Sequence, residues 1–186
     1  MKDPLNAVWM ETYSGLAIVP AYPEAEIILI RDIAHHLSQI CRFNGACREF
    51  YSVAQHSVMV AQQLPKELQL EGLLHDAAEA YTGDITSPMK KLLDSAMLDA
   101  VEWKINNILV YKFKLEINFA DNPQVKDADI VMLKSEAKEL MKTQGYAWDL
   151  YPGWDRLKCV PIEVCWNPSL AEGNFLRMYR RLRRDQ

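Results

Sequence analysis

Along most of the chain, apolar residues recur every three or four positions, the period of helices packed on a common core. Residues 1–30 depart from it. Pro4, Gly15, Pro20 and Pro23 punctuate short β-branched runs there, which predicts a loop with a small hairpin. Asp32 is placed to cap a helix through about Cys41, and Asn44-Gly45 breaks the chain. Ser52-Val53-Ala54-Gln55 reads as a capping box opening a helix that ends near Leu64. Pro65 opens the next helix and Gly83 closes it, and Ser87-Pro88 restarts a short one. A longer helix is expected over about 95–113, and another from Asn122-Pro123 to about Lys142. Gly145, Pro152, Gly153 and Pro161 predict irregular chain over 144–166, before Asn167-Pro168 starts a last helix to about Arg184.

This pattern defines an all-α protein with an irregular N-terminal segment. The 186 residues, 49% of them hydrophobic, suffice for one core, so a single domain over 1–186 is expected. Its core should span about 32–143, with a C-terminal helix at about 168–184. A net charge of −4 argues against a protein that coats nucleic acid. Cys41, Cys47, Cys159 and Cys165 form no CxxC pair, and reduced thiols in a cytoplasmic protein are the expectation. No basic region followed by a long apolar stretch opens the chain, and the apolar run Ile27 to Ile30 is stopped by Arg31. It falls far short of the ~20 residues of a membrane span, so no membrane partner is expected.

Four polar residues interrupt the apolar stripes. His56 lies three residues after Val53 and four before Val60; Asp129 lies four after Val125 and three before Met132. His75 and Asp76 sit side by side within Gly72-Leu73-Leu74-His75-Asp76-Ala77-Ala78-Glu79. Each has a bland reading when taken singly. His56 could be a satisfied core histidine, Asp129 could pair with Lys126 one turn away, and His-Asp is a common dipeptide. Together they match the needs of a metal site, because buried charges survive by pairing or by binding a cation. Gly72 supports this. It costs its helix about 1 kcal/mol against Ala, and its missing side chain would let a neighbouring helix, such as that of His56, approach closely. Mixed nitrogen and oxygen ligation suits one divalent ion, Mn, Co, Ni, Fe, Zn or Mg, without choosing among them.

The pattern His56…His75-Asp76…Asp129 resembles the signature of HD-domain metal-dependent phosphohydrolases, an all-α family. The stretch from Leu73 to Lys90, Leu-Leu-His-Asp-Ala-Ala-Glu-Ala-Tyr-Thr-Gly-Asp-Ile-Thr-Ser-Pro-Met-Lys, is similar to that of bacterial 5′-deoxynucleotidases and phage-encoded deoxynucleotide phosphohydrolases. The similarity runs from about Arg42 to Leu140. It implies that His56, His75, Asp76 and Asp129 hold the metal, that Glu79 works near the attacking water and that Asp84 assists catalysis. It also implies that Arg42, Lys90 and Lys126 contact phosphate and that Phe43 lies by the nucleoside. Glu79 lies one helical turn beyond His75 on the same face, where it could accept or relay a proton, though without its neighbours it reads as a solvated helix charge; Asp84 reads as a cap, and without the resemblance the two lysines read as surface residues.

The expected activity is hydrolysis of a deoxynucleotide phosphate ester, with deoxynucleoside monophosphates favoured. A deoxynucleoside triphosphate triphosphohydrolase is the close alternative, and a catalytically silent nucleotide-binding module the more distant one. His35 and His36 are adjacent and point about 100° apart on a helix, poorly placed to ligate one ion together. Five arginines between Arg177 and Arg184 read as a solvated face or as a contact within a homo-oligomer.

Overall fold

The computed structural model describes residues 8–93, 96–146, 148 and 153–184. Residues 1–7, Ser95 and Pro152, on which parts of the expected pattern fall, lie outside the described residues. A two-stranded antiparallel hairpin, β1 (Met10–Glu11) and β2 (Ala17–Ile18), turns at Gly15 with φ 77° and precedes the helices. Those are α1 (Ile30–Gln39), α2 (Val53–Gln62), α3 (Gln69–Leu74), α4 (Glu79–Thr82), α5 (Ser87–Leu92), α6 (Ala96–Phe113), α7 (Pro123–Leu140) and α8 (Pro168–Arg184). The all-α class is met, and no helix among the described residues is long and apolar enough to cross a membrane.

Helix α2 is the axis of the molecule. Nine of its ten residues are buried, so the helix has no solvent face, and it packs against α1, α3, α7 and α8. One apolar cluster, with Ile33, Leu37, Val53, Leu73, Leu109 and Phe175, joins α1, α2, α3, α6 and α8. A second, with Tyr51, Val60, Val125 and Met132, joins α2 to α7. Polar groups on so buried a helix need internal partners. Ser57 Oγ donates to the Val53 carbonyl at 2.9 Å. The Gln55 amide clips down the irregular 144–166 segment, donating to the Val164 carbonyl at 2.8 Å and accepting from the Trp166 amide at 2.7 Å. Half of the expected capping box is therefore realised: Ser52 Oγ accepts from the Gln55 N–H at 3.2 Å, but the Gln55 side chain is spent elsewhere.

Two further local expectations need correction. Asp32 does not cap α1, which starts two residues earlier; its buried carboxylate accepts from Ser14 Oγ and ties the hairpin to the helix. The single helix expected from Pro65 to Gly83 is broken. A short 3-10 turn at Lys66–Leu68 leads into α3, and the chain then tightens across 75–78 before α4 begins. There the amides of Ala77, Glu79, Ala80 and Tyr81 each bond the carbonyl three residues back, at 2.9, 3.0, 3.3 and 2.9 Å. Three residues per turn replaces 3.6 in this stretch, which changes the direction in which each side chain leaves the backbone. Gly83 closes the segment as expected, with φ 81°.

Gly72 does what its position suggested. A Cβ on it would stand 3.2 Å from Ala61 Cα and would overlap the Leu64 side chain. The glycine thus lets α3 lie directly on α2, and that contact sets the depth at which His75 meets His56.

Candidate metal centre

Three segments converge beside the middle of α2. His56 Nε2 lies 3.3 Å from His75 Nε2 and 3.1 Å from Asp129 Oδ1. Asp76 Oδ2 stands 3.2 Å from His75 Nε2 and 3.6 Å from His56 Nε2. His56, His75 and Asp129 offer ligand atoms that all lie within 4.8 Å of one another. Both imidazoles are buried, whereas Asp129 is partly exposed, so the group is open on one side only.

What happens at the other ring nitrogens makes the arrangement specific. His56 Nδ1 meets Glu136 Oε1 at 2.6 Å, and His75 Nδ1 meets the Gly72 carbonyl at 2.8 Å. Both partners are acceptors, so both Nδ1 atoms carry the hydrogen, and the two Nε2 lone pairs are turned toward each other and toward two carboxylates. Four electron-rich groups in one buried place require positive charge. A divalent ion fits this donor set, since a ligating histidine typically donates its second nitrogen to a carboxylate or carbonyl.

Protons are the competing cations, and the electrostatics show how strongly the place calls for them. Burial and Arg42 push His56 down, yet Glu136 and Asp129 outweigh them and raise it to about 10. His75 is likewise raised by Asp76 against its burial. Burial alone would lift Asp76, Asp129 and Glu136, but His75 holds Asp76 low, His56 holds Asp129 low, and Arg42 with His56 holds Glu136 low.

Glu136 went unrecognised in the sequence. It lies seven residues after Asp129 and four after Met132, two turns along the same stripe of α7, which was the available signal. Fully buried, it accepts from His56 with one oxygen and from Arg42 Nε with the other at 3.2 Å. Arg42 in turn reaches Asp76 Oδ2 with Nη1 at 3.6 Å. One carboxylate therefore fixes an imidazole and a guanidinium. Arg42 enters from a left-handed corner in which Phe43, Asn44 and Gly45 have φ of 55°, 51° and 78°. A bulky residue with positive φ is an outlier, and here it sends the Arg42 side chain inward while the Phe43 ring packs on Trp148 at 6.0 Å.

Glu79 begins α4 beyond the tightened turn. Its Oε2 is buried without a hydrogen-bond partner among the described residues, and burial, Asp76 and Asp84 together raise its carboxyl well above the ordinary range. Asp84, partly buried, is raised chiefly by burial and feels both Arg42 and Asp76. Lys90 Nζ pairs with Glu102 Oε1 at 3.2 Å; burial lowers it, but Glu102, Glu79 and Asp76 raise it more. Lys126 is not brought to the group. Its ammonium pairs with Asp121 at 2.7 Å on the solvent side of α7.

Fold and site together define an all-helical protein with a buried His/Asp group able to hold a cation. No protein-family model matches the chain. It is 35% identical to "Uncharacterized protein YfdR" of Escherichia coli strain K12 over 177 residues, 94% of this chain and 95% of that one, and it belongs to the same family. An uncharacterized protein of Rhodobacter capsulatus is 27% identical over 147 residues, covering 73% of this chain and 74% of its own length.

Proposed function

We propose that the protein is a metal-dependent phosphohydrolase acting on deoxynucleotides, releasing phosphate from deoxynucleoside monophosphates. The observation that carries this is the pair of convergent Nε2 atoms flanked by Asp76 and Asp129, with Arg42 and the raised carboxyl of Glu79 alongside. His56, His75, Asp76 and Asp129 would hold one divalent ion. When bound, such an ion supplies Lewis acidity and a more acidic water.

The chain's own groups supply the rest. Arg42, locked by Glu136, and Lys90, near Glu79 and Asp76, provide the positive charge that a phosphoryl group needs as negative charge builds on its oxygens. Burial and two neighbouring carboxylates disfavour the charged form of Glu79 and raise its carboxyl above the ordinary range, which suits it to protonate a leaving 5′-oxygen. Asp84, whose carboxyl is also raised chiefly by burial, would take or relay a proton beside it. A pure binding module has no use for that pair of perturbed carboxyls.

The test is incubation of metal-supplemented protein with every deoxynucleoside mono- and triphosphate, identifying the product. Inorganic phosphate from monophosphates is expected. Intact triphosphate released from triphosphates, with no turnover of any monophosphate, makes the protein a triphosphohydrolase instead. No metal-dependent release from either set refutes the hydrolase reading.

A further inference from the structure

Two long helices treat solvent in opposite ways. α8 buries Ala171, Phe175, Met178 and Leu182 and turns Arg177, Arg180, Arg181 and Arg184 outward. α6 buries Ile105, Leu109 and Phe113, a stripe at i, i+4 and i+8 that faces the core. Its opposite face is exposed along the helix, yet the centre of that face reads Ala96, Ala100, Trp103, Asn107 and Tyr111, with no charge among them. Trp103 is 64% exposed and Tyr111 82%, and Met97, at the edge of the same face, is 65% exposed. A helix that is apolar on both sides belongs in an interior, and contiguous exposed apolar surface marks a contact site.

The face is complementary to itself. Steps of four, three, four and four residues keep its central positions in one line, as in a helix–helix seam. Residues 103 and 111 are equally far from 107. Two copies of α6 laid antiparallel about a two-fold axis at Asn107 therefore put Trp103 of each level with Tyr111 of the other. Such aromatic pairs contribute beyond the apolar area they bury. The side chain of Asn107 makes no hydrogen bond among the described residues, and on the axis it would meet its own amide, donor to acceptor. A single asparagine in an apolar seam fixes register. Charge selects the direction. Asp99 is exposed near the start of the helix and Lys114 just past its end. Antiparallel pairing brings these opposite charges together, whereas parallel pairing sets like beside like.

We propose that the exposed face of α6 is a homodimer interface, in which two antiparallel copies of the helix meet about Asn107. This interface is independent of the chemistry at the His/Asp group.

Sedimentation velocity across about 1–100 µM, where dimers of moderate affinity form and dissociate, tests the assembly. Wild type should reach twice the 21.4 kDa mass of the chain. Trp103→Glu and Tyr111→Glu should each weaken association by about thirtyfold or more, the effect of losing a central aromatic anchor. Both positions are exposed, so circular dichroism should show an unchanged fold in at least one of the two. Cysteine pairing then tests the register, with wild type and its native cysteines as the baseline. Asn107→Cys should form a reducible dimer on mild oxidation, because the two thiols face each other at the axis. Ala100→Cys should not, since its two copies stand about 21 Å apart at 1.5 Å per residue. A monomer at every concentration overturns the proposal, as does a dimer indifferent to both glutamates or one that crosslinks at Ala100→Cys and not at Asn107→Cys. A wild-type monomer that floats with anionic phospholipid vesicles overturns it in favour of a membrane surface.

Discussion

Two pairs of histidines lie in this molecule, and they differ in what their second nitrogens do. At His36 both are spent: Nδ1 bonds the Ala80 carbonyl at 2.7 Å, and Nε2 accepts from the Tyr13 amide at 3.0 Å. Its neighbour His35 stacks on Tyr13 and meets Glu172 at 3.0 Å. Together they pin the hairpin to α1, α4 and α8. His56 and His75 use Nδ1 in the same way, on Glu136 and Gly72, but leave Nε2 facing Nε2 at 3.3 Å among carboxylates. A half-buried histidine with two partners, such as His36, holds structure together. One whose Nε2 converges with a second Nε2 and with carboxylates belongs to a group that could hold a cation.

The sharpest way to break this comparison is to truncate one histidine from each pair. His75→Ala should abolish turnover, with loss of metal, while the fold is largely kept. His36→Ala should keep its metal and instead lose about 1–2 kcal/mol of stability, from the unpaired Ala80 carbonyl and a loosened hairpin. Equal effects on metal content would erase the distinction. Next in size is Glu79→Ala, expected to cut kcat by about 10²–10⁴, the usual range for a general acid or base. Metal and substrate affinity should change far less. A variant that loses its ion instead makes Glu79 a ligand.

Glu136 sharpens the comparison from the other nitrogen. Glu136→Ala should lower metal affinity about 10–100-fold, the usual penalty for removing a ligand's orienting partner. Glu136→Gln, which can still accept from His56 Nδ1–H, should recover most of that affinity while leaving Arg42 without its charged partner. Identical affinities in the two variants would deny the orienting role.

A smaller effect comes from pH. In metal-stripped protein His56 is raised from 6.5 to about 10, so its protonated form stabilises the fold fully below about pH 6.5. That contribution is lost as pH rises toward 10. The melting temperature of chelator-treated protein should fall across this window. Metal-loaded protein should fall less, because the ion replaces the proton, and metal affinity should rise over the same range. Parallel curves with and without metal would contradict the competition.

Much of this was legible in the chain. The stripes that placed α2 and α7, the turn at Asn44-Gly45 and the packing glycine at 72 are local signals, and local physics decided them. Gly72 in particular announced a close approach that its contact with Ala61 bears out. What failed to show were features set by tertiary partners. The helix predicted to run unbroken through His75 tightens there to three residues per turn, so that the paired side chains reach α2 and α7. Asp32 looked like a cap because caps and buried hydrogen-bonded carboxylates share a residue type. Glu136 was visible as position seven of a stripe already traced, yet a glutamate on a helix reads as solvated until its partners are known. Lys126 reads as a neighbour of Asp129 one turn away, but the chain folds Asp121 back within its reach.

The central claim is that His56, His75, Asp76 and Asp129 form one divalent-metal centre, and metal content tests it most directly. Chelator-stripped protein is reloaded with excess Mn²⁺, Co²⁺ or Zn²⁺ and dialysed, and bound metal per chain is measured for wild type and Asp76→Ala, both verified as folded by circular dichroism. One ion per wild-type chain and a near-zero content in the variant is the expected result. Equal metal content in the two proteins, or none in the wild type with any of these ions, would contradict it.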